Sequence, residues 1–341
     1  MFTLTRNIGI DLGTTNTLVY SKGKGIVMKE PSVVALDQDT GEVLAVGEEA
    51  NKMLGRTPGN IAAIRPLKEG VIAHFDAAHM MLKYFIKRGM SKQAAFKPEV
   101  VVSVPSGITE VEKRAVIESV LQAGGKAAYL VEAPLAAALG AGLPIDEPTG
   151  SMVVDTGGGT TEVVVISLGG IVNSRSVRAG GDKMDELLGR YIKKTYNIMV
   201  SERAVEQLKI QIGNAYMENS RESMEIRGRD MVTGMPKALQ ITGQEVHQEV
   251  HQVLHEALTS IVNTVKITLE KAPLDLASDI MDRGIVLTGG GSLLKGLDQL
   301  LAKATGMPVY VAENAEECAV LGTGKILDKL DTWKKYSLHK N

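Results

Sequence analysis

The chain has 341 residues, 44% hydrophobic and 23% charged, which is long for a single small domain and too apolar for a disordered one. Its 38 basic and 40 acidic residues leave a net charge of −2, so overall charge gives no support to nucleic-acid binding. The single cysteine, Cys318, excludes an internal disulfide and a cysteine-built metal cluster, and makes a reducing, cytoplasmic setting the default. No apolar run reaches the roughly 18 residues that span a bilayer. The N-terminus, MFTLTRN, lacks the apolar stretch of a secretion signal. Met1, Phe2 and Leu4 beside Arg6 make a short greasy, cationic end that fits a tucked-in terminus or a weak membrane anchor.

In chain order, Val- and Ile-rich runs predict strands at Asn7–Leu12, Thr17–Tyr20, Pro31–Ala35, Glu42–Val46, Glu99–Val104, Met152–Asp155, Glu162–Ser167 and Gly284–Thr288. Helical runs fall between them. Thr109 and Glu112 predict a capping box for a helix that stops at Gly124–Gly125. Asp182 is expected to cap a helix running to about Tyr196, and Ser201 another through Gln211. A long helix is expected over about Gln244 to Lys271, ending before Pro273, then one from Ser292 to Thr305 and a shorter one near Leu321 to Leu330. Gly and Pro suggest linkers at Gly140–Gly150 and near Arg65–Gly70. The organisation is α/β.

One internal repeat stands out: IGIDLGTTNTLV at 8–19 and VVDTGGGTTEVV at 153–164. Each is an apolar strand, an Asp, a Gly/Thr turn and a second apolar strand. Glycine lets the backbone approach phosphate oxygens, and successive N–H groups in such a turn form an anion nest. The first turn offers Gly13, Thr14, Thr15 and Asn16; the second offers Gly157, Gly158, Gly159, Thr160 and Thr161. Asp11 and Asp155 would repel a triphosphate directly, so both point to Mg²⁺ held mainly through water. A third turn, Gly289, Gly290, Gly291, Ser292 and Leu293, is small enough for a flat ring to lie against the backbone. The chain has no GxxxxGK[ST] P-loop and no strand-closing GxGxxG of a nicotinamide enzyme.

GIDLGTTNT, VVDTGGGTTE and LTGGGSLLKGLDQLL resemble the two phosphate motifs and the adenosine motif of the actin, heat-shock chaperone and sugar kinase superfamily. The similarity to the MreB family of bacterial actins is closer and runs nearly the whole chain, through EPSVVAL, GRTPGNIAAIRPLKEGVIA, SERAVEQLKIQIG, IRGRDMVTGMPK and DRGIVLTGGGSLLKGLDQLL. The resemblance implies an actin-like, ribonuclease H-like duplicated ATPase fold with four subdomains around a nucleotide cleft. Subdomain IA would take 1–30, 71–143 and 313–341; IB 31–70; IIA 144–180 and 247–312; IIB 181–246. It also implies ATP with Mg²⁺, and Glu206 and Lys209 facing the nucleoside, which their spacing on one helix face fits.

The resemblance further places a water-orienting Glu just before the proline of a Glu-Glu-Pro pattern. Here the segment reads Val131, Glu132, Ala133, Pro134, so Ala133 stands at the expected catalytic position. A knockout, a natural weakly hydrolysing paralogue and takeover by Glu132 all remain open. Thr160 is a second candidate for placing the water. The implied function is an ATP-binding actin homologue that polymerises head to tail, in paired filaments, at the inner face of the cell membrane. It would organise cell-wall synthesis for rod shape, together with cell-elongation membrane proteins. Rival readings are a chaperone-type ATPase, which needs a substrate-binding region beyond the ATPase lobes, a sugar-kinase-type ATPase, which needs a substrate Asp base, and a non-hydrolysing scaffold.

His247, His251 and His255 recur on one helix face and are expected to form a solvated or subunit-facing stripe rather than a metal site. Met90 and Phe96 in GMSKQAAFKP fit a lipid-inserting loop tip or simple packing. Cys318 is expected to be a buried small hydrophobe.

Overall fold

The computed structural model describes residues 7–90, 97–216 and 222–333, with backbone alone over 243–252. The readings of Met1, Phe2, Leu4, Arg6 and Phe96, and of the His247 and His251 side chains, lie outside the described residues. Met90 is half-buried against the core of the first lobe.

Two five-stranded sheets form the centres of two lobes. In the first, the order is Ala127–Glu132, Glu99–Val104, Ile8–Leu12, Asn16–Ser21, Gly25–Pro31. In the second it is Val309–Val311, Ile285–Thr288, Ser151–Thr156, Thr161–Ser167, Gly170–Val177. Both run parallel on one side of the central strand and antiparallel on the other. The repeat read from two short motifs is therefore a repeat of whole sheets.

Helices cover these sheets, so their central strands are apolar on both faces. Val100, Val101 and Val102 are all fully buried. The helix Phe75–Gly89 supplies Met81, Phe85 and Ile86 to the first core, and Gly243–Glu270 supplies Leu254, Leu258, Ile261 and Val265 to the second. Two three-stranded sheets flank the lobes, one of Val43–Val46, Val34–Asp37 and Ile61–Ile64, the other of Ile198–Met199, Ser223–Asp230 and Pro236–Thr242.

The Thr109–Glu112 capping box forms, and Ser201 caps the helix Glu202–Ile212 by accepting the Ala204 N–H. Three local expectations change. The strand expected at Pro31–Ala35 is interrupted, because Ser32 turns aside to give its N–H to Thr15 O and its hydroxyl to Gly13 O. The helix expected from Asp182 begins at Gly181, capped by the backbone of Gly180. The helix expected from Ser292 is a short 3₁₀ turn at Gly290–Leu293 followed by a helix at Leu297–Thr305. Gly296 separates them at φ 74°, a left-handed conformation that breaks the helical run.

The lobes meet at one close helix crossing. The helix Ala133–Gly140 lies against Cys318–Asp328 through small residues. A Cβ on Gly322 would sit 1.8 Å from Ala136 O, and one on Gly140 would sit 1.8 Å from Cys318 O.

Candidate functional site

One cleft between the lobes collects most of the residues singled out above. Gly13, Thr14, Thr15 and Asn16 line it from the first hairpin, and Gly157, Gly158, Gly159 and Thr160 from the second. The turns nearly touch: a Cβ on Gly158 would meet Thr15 Oγ1 at 1.9 Å, and one on Gly159 would meet Thr14 Oγ1 at 2.9 Å. Glycine is required at both positions so that the two turns can close on the same space. Gly159 also packs on the backbone of Glu69 and Gly70, and Glu69 pairs with Arg178 across the lobes at 3.3 Å.

Asp11 and Asp155 both reach this cleft. Each is held by a hydroxyl on the neighbouring parallel strand: Ser103 Oγ donates to Asp11 Oδ1 at 2.6 Å, and Thr288 Oγ1 donates to Asp155 Oδ1 at 2.9 Å. The register explains the match, since Asp11 aligns with Ser103 and Asp155 with Thr288. Burial pushes the Asp11 carboxyl up to about 7, the Ser103 bond opposes this, and the charge of Asp155 adds to it. Burial also raises Asp155, against the Thr288 bond. Two desolvated carboxyls with hard oxygen donors fit a hard divalent cation, which would relieve both. Sequence reasoning missed Ser103 and Thr288, because a hydroxyl at the end of an apolar strand carries no signature until the register is known.

Glu206 and Lys209 both line the cleft. Lys209 Nζ donates to Gly181 O at 3.0 Å and to Asp185 Oδ2 at 2.8 Å, so Asp185 fixes its position. Burial pushes the Asp185 carboxyl up to about 6 despite Lys209. Asp182 does not cap its helix by its side chain. Its N–H donates to Gly158 O at 2.8 Å, and Thr15 Oγ1 approaches its carboxylate at 3.4 Å, so it ties one hairpin to the other.

Gly289, Gly290, Gly291 and Leu293 also line the cleft. Ser292 turns away from it: it is buried, and its hydroxyl donates to Gly289 O at 2.6 Å, which stabilises the turn. Lys29 and Glu316, which sequence reasoning did not select, also line the cleft and form an ion pair with each other.

Ala133 lines the cleft together with Thr160. Glu132 is half-buried and outside the lining; burial raises its carboxyl, and Lys113 opposes that. The carboxylate that does enter the cleft in this region is Glu162. Burial and then the charge of Asp155 push it up to about 8. Among the described residues no cluster of His, Cys, Asp and Glu has metal-ligand geometry, and no helix is long and apolar enough to cross a membrane.

The MreB/Mbl protein family matches residues 5–335. The chain belongs to the MreB/Mbl family. It is 50% identical over 333 residues to the cell shape-determining protein Mbl of Bacillus subtilis, covering 98% of this chain and 99% of Mbl. It is 50% identical over 330 residues to the cell shape-determining protein MreB of Escherichia coli, covering 95% and 94%. The crystal structure of MreB 5 of Spiroplasma citri bound to AMPPNP superposes with a TM-score of 0.90 at 35% identity, covering 98% of this chain and 99% of that one. The fold is thus the actin-like, duplicated α/β fold of MreB proteins.

Proposed function

We propose that this chain is an ATP-binding bacterial actin that polymerises and helps to determine rod cell shape. The observation that carries this reading is the pair of Asp-Gly-Thr hairpins facing one cleft, each Asp held by a hydroxyl from the next strand. ATP would lie with its phosphates between the two turns, its ribose near Glu206 and Lys209, and its base on Gly289–Leu293. Mg²⁺ would be held by Asp11 and Asp155, mainly through water, and would offset phosphate charge. Nucleotide contacts from both lobes would favour the closed arrangement, and closure would fix the surface that meets the next subunit head to tail. The MreB 5 structure with AMPPNP and the shared family support this assignment. The four-subdomain division, paired filaments, cell-elongation protein partners, and attachment to the inner face of the membrane through the N-terminus and the loop around Phe96 belong to the same proposal.

Sedimentation with parallel phosphate measurement tests it. ATP with Mg²⁺ is expected to pellet the protein, and chelation of Mg²⁺ to abolish the effect. Anionic vesicles should carry the protein down until Met1–Leu4 is deleted and Phe96 replaced. Sedimentation indifferent to nucleotide would overturn the polymer reading, and transfer of phosphate to a sugar would favour a kinase. Ala133 favours one second reading, a nucleotide-gated scaffold that assembles without turnover; pelleting with no phosphate above background would select it.

Mg²⁺ binding should also depend on pH. Asp11, pushed up to about 7, carries a proton below neutrality and must lose it to hold a cation, and burial raises Asp155 in the same direction. Affinity for Mg²⁺ with a non-hydrolysable ATP analogue should therefore rise from about pH 6 to about pH 8, with proton release visible as a buffer-dependent heat in calorimetry. Equal affinity at both pH values would remove the two carboxylates from the cation site.

A further inference from the structure

The expected water-orienting side chain is absent at position 133, yet Glu162 lines the same cleft. Glu162 is 3% exposed, and its Oε1 accepts the Ser106 N–H at 2.9 Å. Its Oε2 is buried and meets no donor at hydrogen-bond geometry, although the Ser106 hydroxyl, likewise unpaired, lies close enough to the carboxyl to oppose its rise. A buried carboxylate oxygen left unpaired is costly, so such an atom in a ligand cleft points to a partner supplied by the ligand or by a water that acts on it.

The duplication supplies an internal control. In the second hairpin Glu162 stands opposite Asp155; in the first hairpin Leu18 stands opposite Asp11. Leu18 is also 3% exposed. The fold therefore accepts a buried leucine at this place, and the carboxylate in the second lobe is not a requirement of the hairpin. Glu162 lies two residues beyond Thr160, and both line the cleft with Ala133 and Pro105.

We propose that Glu162 orients the attacking water at the γ-phosphate, in place of the side chain that Ala133 lacks. The inference rests on the reading of the cleft as an ATP site. In the reaction the water oxygen forms a bond to the γ-phosphorus. The bond from that phosphorus to the β–γ bridging oxygen breaks, and its electron pair leaves with ADP. The proton lost by the water ends on the released phosphate, so Glu162 has only to hold the water by a hydrogen bond at its Oε2. Phosphoryl transfer requires little more, because positioning supplies much of the catalysis.

The test compares Glu162→Leu, which copies the other hairpin, with Glu162→Gln, which keeps the Ser106 bond and a hydrogen-bonding group at the Oε2 position. Single-turnover release of labelled phosphate from Mg²⁺·ATP and affinity for a fluorescent ATP analogue are measured on the full chain, with folding checked by circular dichroism. Glu162→Leu should lower phosphate release by about 10²-fold with affinity within about twofold of the parent. Glu162→Gln should retain most of the rate, and adding Ala133→Glu to Glu162→Leu should recover part of it. Release by Glu162→Leu at the parental rate, or Glu162→Gln as slow as Glu162→Leu, overturns the proposal. So does a parent that binds nucleotide but releases no phosphate above background. A parent that does not bind nucleotide overturns the ATP reading itself, and the affinity measurement separates that outcome from the others.

Discussion

Ala133→Glu is expected to raise single-turnover phosphate release by about 10²-fold. Ala133 is the first residue of the helix Ala133–Gly140, lines the cleft, and follows Glu132 at the end of an edge strand of the first sheet. A carboxylate there would reach toward the same space as Thr160 and Glu162. A well-placed group of this type contributes about 10²–10⁴-fold to a proton-transfer step, or roughly 3–5 kcal/mol of barrier. The gain should fall at the lower end, because Glu162 already offers an acceptor. The substitution has a cost in the empty protein: it adds a negative charge near Glu162 and Asp155, whose carboxyls burial already raises. The variant should therefore melt at lower temperature than the parent at neutral pH, and Mg²⁺·ATP should narrow the gap. An unchanged release rate with nucleotide bound would show that position 133 is not where the water sits.

Gly322→Ala is expected to destabilise the chain by more than about 3 kcal/mol, beyond the range of ordinary surface changes. The Cβ would sit 1.8 Å from Ala136 O, a backbone atom inside a helix. No rotamer change relieves that clash, so the helices Ala133–Gly140 and Cys318–Asp328 must separate, which undoes core packing along both. Gly140→Ala should behave alike, with its Cβ 1.8 Å from Cys318 O. Gly59→Ala is the control, because nothing lies within 4 Å of a Cβ there and its φ is not in the left-handed region. It should change stability by less than about 1 kcal/mol. Urea midpoints measure all three, and a Gly322→Ala midpoint equal to that of the control would mean the crossing is loose. The crossing also matters to the cleft, since Ala133 and Ala319 both line it from these helices. Partial folding of either variant should therefore weaken nucleotide affinity as well.

The two hairpins were legible because their chemistry is local: Asp, Gly and Thr within a few residues carry the whole signal. The cleft they build also takes in Glu206, Lys209 and Gly289–Gly291, as the motifs implied. What the sequence hid came from residues brought together by register. Ser103 and Thr288 carry no signal of their own in the sequence; parallel pairing sets each beside an Asp. Asp185 gains its role only from the fold, which brings Lys209 from another helix to meet it. Glu162 read as the last letter of a phosphate motif, and its significance depends on comparison with Leu18. Asp182 was misread for a different reason. Helix-cap rules favour Asp, but here the Gly181 N–H already donates to Gly157 O, so the cap falls two residues earlier, at Gly180.

Cys318 has a practical consequence. It is the chain's single cysteine, 1% exposed, and burial followed by the charge of Asp155 pushes its thiol up to about 11. Thiolate is the reactive form, so this sulfur should be nearly inert to maleimides at neutral pH. The chain is thus already a silent background for labelling. A cysteine introduced at an exposed site on each lobe would accept a dye pair without removing any native residue. Energy transfer between the dyes would then report the opening and closing of the two lobes in solution, one molecule at a time.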